Sequence, residues 1–346
     1  MDLPLVLAQP HDAVQAEMRA ALGERTLPIY QMVRYALGWV EADGAPRSDA
    51  AGKGIRPALT TLAAQALDPS PAAQRRALPA AAAVEFVHNF SLVHDDVQDR
   101  DDQRHHRPTV WRQWGDAQAI NVGDALRELA QIALNRATHA GAHPATVLAA
   151  TDTLNRCALD MIEGQYLDLE YELRDDVSVD DYLTMVERKT GAMLGCSLAL
   201  GALLATGDAH VAAQLEQAGR RLGLAFQIRD DALGIWGDSA ATGKSADNDI
   251  RRRKKSFPIV HAFAEAAADP DARAALARVY QQDQVSDQDV HDVTRELDAL
   301  DTRAAAERAA DQHHQAFLQA LAACDLHAPG RAALEQAARF IVLRAY

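Results

Sequence analysis

The chain has 346 residues and a net charge of −14. That length supports one large core or two modest ones, and the acidic balance argues against a general nucleic-acid binder, whose electrostatic footprint is basic. Three widely spaced cysteines (Cys157, Cys196, Cys324) form no CxxC pair, which argues against a disulfide framework or zinc site and suits a reducing cytosol.

The N-terminus, MDLPLVLAQPHDAVQ, has no basic region and too short an apolar run for a signal peptide. No eighteen consecutive apolar residues occur, so no transmembrane segment is expected and a cytoplasmic location is. Apolar residues recur at three and four almost throughout, without sustained β-branched alternation. Residues 11–40 read as one or two amphipathic helices, 41–54 as a loop and 55–67 as a helix. DPSP at 68–71 is a break, 77–102 a long helix, and HHRPT at 105–109 a turn, since the residue before a proline disfavours helix. Helices follow at 117–140, 144–173 and 180–206, the last opened by a capping box at Ser178–Asp181. The next covers 209–236, then a polar loop runs from 237 to 249. Helices at 256–268, 271–282, 287–322 and 330–345 complete the chain. No linker rich in Ser, Gly or Pro divides it, so residues 1–346 are expected to form a single all-α bundle-like domain.

Chemistry concentrates in HNFSLVHDDVQDRDDQRHHRPT, from His88 to Thr109. Asp95 and Asp99 are four apart and share a helix face after an apolar segment. Like charges there call for a cation between them, and all-oxygen ligands suit Mg2+, which completes its shell with water and phosphate oxygens. Alone, the motif reads first as a solvated acidic helix end. Downstream, FQIRDDALGIWGD carries a second pair, Asp230 and Asp231. Two such helix ends facing each other would hold more than one metal and clamp a diphosphate.

Basic candidates accompany the acids. Lys53 and Arg56 flank Gly54 at a helix start, where they can grip a diphosphate or simply meet solvent. Lys189 and Thr190 interrupt an apolar helix, with Lys189 either snorkelling outward or aimed at an anionic ligand. Lys244 sits in a polar loop, and Lys254 and Lys255 belong to RRRKK, otherwise a solvated basic face. Gln165 and Asp168 can share a face with a metal-bound water or equally form an ordinary polar stripe, and Gln227 lies one turn before Asp230 and Asp231, where its amide dipole can stabilise developing positive charge. His105 and His106 are adjacent and chelate poorly.

Together these segments, from about residue 50 to 260, resemble the trans-isoprenyl diphosphate synthases of the polyprenyl synthetase family. The resemblance implies an all-α fold around a deep cavity, a homodimer and three Mg2+ ions. It also implies head-to-tail condensation of isopentenyl diphosphate with an allylic diphosphate. Position by position, it implies metal ligation by Asp95, Asp96 and Asp99, then by Asp230 and Asp231 with Asp249 through water. Lys53, Arg56 and His88 match the isopentenyl diphosphate site, and Arg104, Lys189, Lys244 and Lys254 the grip on the allylic diphosphate. Thr190 and Gln227 match residues near the carbocation.

Three positions depart from the family pattern. Gly54 stands where an arginine commonly follows the lysine, and Gly234 replaces the second motif's third acid. His105 replaces the second arginine of the acceptor site, with Arg107 the nearest substitute. Product length is set below Asp95. At about 1.5 Å per residue Phe90 lies roughly 7.5 Å beneath it, beside the small Ser91. That pattern resembles geranylgeranyl (C20) synthases, with farnesyl (C15) as the shorter option. A class I terpene cyclase uses the same ionisation without an acceptor site, and a non-catalytic prenyl-diphosphate-binding subunit would bind without turnover.

Overall fold

A computed structural model describes residues 4–47, 54–237, 248–282 and 284–343. The N-terminal stretch resolves into α1 (Leu5–Ala8), α2 (His11–Leu22) and α3 (Pro28–Ala36), and α4 spans Ile55–Leu67. Helix α5 (Pro71–Gln98) starts earlier than its periodicity suggests. The Ser70 hydroxyl accepts from the Ala73 N–H at 3.3 Å, and Pro71 opens the first turn with a preset φ. It stops at Gln98, and Arg100 then takes a left-handed φ of 56°.

The expected turn at HHRPT is a small hairpin of β1 (Gln103–Arg104) and β2 (Arg107–Pro108), with Arg104 opposite Arg107. His105 and His106 form its two-residue link with φ of 51° and 60°, the turn hand that matches strand twist. Then come α6 (Val110–Trp114), α7 (Asp116–Asn135), α8 (Pro144–Glu172) and α9 (Val179–Val186). The Ser178–Asp181 capping box forms in both directions. A π-helical turn at Glu187–Gly191 joins α9 to α10 (Ala192–Thr206), and α11 covers Ala209–Trp236. Shorter helices follow at Asn248–Arg251, Phe257–Glu265 and Pro270–Tyr280. The expected helix 287–322 is two, Asp287–Ala299 and Thr302–Ala323, because Asp301 turns left-handed at φ 52°. Ala328–Val342 is the last.

Helix α10 is the centre of the molecule. Every residue from Ala192 to Ala205 is buried, and α4, α5, α8 and α11 pack around it. A helix apolar on all sides needs such a sheath. By length and composition Val179–Thr206 would pass for a membrane span, yet 89% of its most apolar window is buried within the fold. The helices that sheathe α10 carry the acids at their exits: α5 the first pair, α11 the second.

Candidate active site

The end of α5 presents Asp95, Asp96 and Asp99 in different settings. Asp96 is buried and bound by Arg104, whose Nε and Nη2 lie 2.8 and 2.7 Å from its Oδ1. The hairpin delivers that arginine, so Asp96, expected as a metal ligand, is held against Arg104. Asp95 has no ion pair among the described residues. Burial pushes its carboxyl up to about 6, against the pull of Lys189.

Facing this end is the π-helical turn. A Cβ on Gly164 of α8 would fall 2.2 Å from the Lys189 backbone nitrogen, so the absent side chain lets α8 lie directly against the turn. Lys189 Nζ thereby reaches Asp168 of α8 at 2.5 Å. Burial works against the Lys189 charge, but Asp168 and then Asp95 hold it above the ordinary lysine value. Burial likewise opposes the charge on Asp168, which Lys189 and Lys254 nonetheless keep below the usual carboxylate range. Asp168 Oδ2 is held by Lys189, and Gln165 Nε2 donates to Gln98 Oε1 at 2.9 Å, which leaves the buried Gln165 Oε1 without a hydrogen bond. The widened turn also aims consecutive residues two ways: Thr190 Oγ1 donates to Gln227 Oε1 at 3.0 Å, on α11.

On α11 the second pair divides its labour. Asp231 is buried and receives the Tyr182 hydroxyl at 2.6 Å, the Phe257 N–H at 2.9 Å and Gln227 Nε2 at 2.9 Å. Burial, then Asp249, raise its carboxyl to about 7 while the three donors oppose them. These donors tie Asp231, expected as a metal ligand, to α9, α11 and the helix Phe257–Glu265. Its neighbour Asp230 and Asp249 are both half-buried. A Cβ at Gly234 would lie 2.5 Å from Asp249 Oδ2, so the glycine that replaces the third acid makes room for the carboxylate of Asp249.

On the acceptor side, Arg56 Nη1 donates to His88 Nε2 at 3.0 Å. Burial and then Arg56, Arg104 and His105 hold the His88 imidazole well below its ordinary value, leaving it neutral to accept that bond. Arg107 does not join them. It donates to the Tyr35 and Val40 carbonyls and stacks 3.9 Å from the Tyr35 ring centroid, so it is no substitute for the missing arginine. Lys53 and Lys244 lie outside the described residues. Phe90 is buried edge-on to His94 at 4.9 Å, and Ser91 Oγ donates to the His88 carbonyl.

Sequence reasoning passed over two residues. Tyr182 sits in an ordinary apolar helix pattern with no mark of its contact to Asp231. Arg252 was submerged in RRRKK, yet its guanidinium meets Asp101 Oδ1 at 3.0 Å and Asp99 Oδ2 at 3.5 Å. That contact joins the segment after the second motif to the end of the first.

The residues fit magnesium. No three His, Cys, Asp or Glu side chains converge on one point among the described residues. Mg2+ needs no such cage, because it binds through one or two carboxylates and takes water and phosphate oxygens for the rest. Asp95, desolvated and with no ion pair among the described residues, is the group a cation would relieve.

The sequence profile of the polyprenyl synthetase family matches residues 45–297. The chain is 42% identical over 256 residues to a (2E,6E)-farnesyl diphosphate synthase from Mycobacterium bovis, covering 73% of this chain and 68% of that one. It is 41% identical over 295 residues to a geranylgeranyl diphosphate synthase from Mycobacterium tuberculosis, covering 85% and 81%. Among solved structures, a polyprenyl synthetase from Streptomyces coelicolor A3(2) superposes with a TM-score of 0.90 at 37% identity, covering 99% of this chain and all of that one. With two acidic helix ends, a basic clasp between them and these relatives, the chain belongs to the polyprenyl synthetase family and is a short-chain trans-prenyltransferase, joining isopentenyl diphosphate head-to-tail to an allylic diphosphate.

Proposed function

We propose that Asp95, Asp99 and Asp230, with Asp249 through water, hold three Mg2+ ions against the allylic diphosphate, and that the product is geranylgeranyl diphosphate. The observation that carries the metal assignment is the contrast between Asp95 and its neighbour Asp96 at the end of α5. Asp96 is bound by Arg104, while Asp95 is desolvated with no ion pair among the described residues. The family's chemistry depends on Mg2+. Bound there, the ions would neutralise the departing diphosphate, an effect worth several kcal/mol.

The chain's own residues do the rest. Lys189, Arg104, Lys244 and Lys254 receive the allylic diphosphate as its carbon–oxygen bond breaks. Thr190 and Gln227, tied by their 3.0 Å bond, present oxygen dipoles to the allylic cation. Lys53, Arg56, His88 and His105 orient the acceptor, whose double bond attacks the cationic carbon. The final proton goes to the released diphosphate. Asp96, Asp99, Asp101 and Asp168 are each engaged by a cation, which favours that base over a side chain.

The same reading makes the enzyme a single-domain, cytoplasmic homodimer. Ile120 of α7 and Leu148, Leu159, Ile162 and Tyr166 of α8 are exposed, and Leu159, Ile162 and Tyr166 follow helical spacing. A second copy is what such a stripe would bury.

The test is a Mg2+-dependent assay with isopentenyl diphosphate and each of three allylic primers, with products sized. C20 is expected as the end product, and Phe90→Ala is expected to lengthen it, because Phe90 fills the space beside His94. Release of C15 by the native enzyme would refute the length assignment, and an unchanged spectrum from Phe90→Ala would remove Phe90 from the floor.

A further inference from the structure

Arg252 follows the short helix Asn248–Arg251 and crosses to the end of α5. Its Nη1 donates to Asp101 Oδ1 at 3.0 Å. Its Nη2 donates to the Asp99 backbone carbonyl at 3.2 Å and lies 3.5 Å from Asp99 Oδ2. One guanidinium thus takes three oxygens of one helix end, a use of planar geometry that an ammonium cannot copy. The other basic residues of the run point elsewhere. Arg251 pairs with Asp287 at 2.6 Å, Arg253 donates to the Gln282 carbonyl, and Lys255 lies over the Tyr280 ring. Lys254 acts on Asp168.

Three cations at the mouth are therefore engaged by carboxylates: Arg104 by Asp96, Lys189 by Asp168, and Arg252 by Asp99 and Asp101. We propose that Arg252 is an internal cation that clasps the metal-free mouth and must surrender Asp99 before metal is taken, so that Mg2+ loads together with a diphosphate. A lone Mg2+ ion at Asp99 has to displace a guanidinium already held by three oxygens. A diphosphate changes the balance, because its oxygens add ligands for the metal and offer the freed guanidinium an anionic partner. The proposal rests on Asp95 and Asp99 being metal ligands. It makes Arg252 a positioning residue, acting through Asp99.

Calorimetric titration of Mg2+ into the substrate-free enzyme, with and without inorganic diphosphate, tests it. The native enzyme is expected to bind Mg2+ weakly alone and much more tightly with diphosphate. Arg252→Gln is expected to bind Mg2+ alone about threefold or more tightly, the size of a partly exposed ion pair, and to lose the same factor from the diphosphate effect. Arg251→Gln removes the same charge from the neighbouring residue and is expected to match the native enzyme. Equal shifts in the two variants, or no shift in Arg252→Gln, would overturn the clasp while leaving the metal ligands intact. Failure of the native enzyme to bind Mg2+ with diphosphate would overturn the ligand assignment and the clasp together. Arg252→Lys, which keeps the charge but cannot span both acids, gives the same comparison if the glutamine variant does not fold.

Discussion

Two aspartates with raised carboxyl values illustrate how little the residue type settles by itself. Asp231 is pushed up to about 7 by burial and Asp249 but has three donors, while Asp95 is pushed up to about 6 by burial with no ion pair among the described residues. For Asp95 the folded value exceeds the ordinary 3.8, so its favourable contribution to folding is complete below about pH 4. It is lost as pH rises through about 6. Metal-free enzyme should accordingly weaken over that window. Asp95→Asn should melt higher than the native chain at pH 8 in chelator, on the order of 1–3 °C, with the gap closing at pH 4 and with activity abolished. Differential scanning calorimetry decides it: a variant that melts lower at pH 8 would mean Asp95 is stabilised by partners rather than waiting for one.

Elements place these residues by close approach. At Gly234 the helix α11 leaves space that the Asp249 carboxylate fills. Gly234→Ala should fold normally, since only the tip of a short side chain has to move, yet weaken Mg2+–diphosphate binding by roughly tenfold, about 1.4 kcal/mol. Unchanged binding would show that Asp249 does not need that seat. The glycine was visible in the sequence only as a missing acid, because the fragment that compensates for it comes from a different element. The same limit applied elsewhere. Paired carboxylates and the capping box could be read from local spacing. Tyr182 under Asp231, Arg252 across the mouth and the ties of Arg107 to α3 depend on which helices become neighbours, and no local pattern encodes that. Helix interiors followed the hydrophobic period, whereas α5 was extended by its Ser70 cap and the 287–322 segment was cut by left-handed Asp301.

For the whole molecule, the exposed apolar stripe on α7 and α8 makes assembly testable. Replacing both Leu159 and Ile162 by arginine should convert a particle of two chains into one, measured by light scattering after size-exclusion chromatography. A native enzyme that is already monomeric would discard the dimer. A central helix with no surface of its own also sets how the enzyme can breathe. Lys189 and Thr190 sit directly before α10, whose amides should exchange with solvent only through global unfolding, whereas Arg252 follows a helix of four residues, which we expect to open more readily. The pocket therefore has a rigid wall and a yielding one, and any rhythm of substrate entry and product escape should be heard in the hydrogen exchange of the latter while the former stays silent.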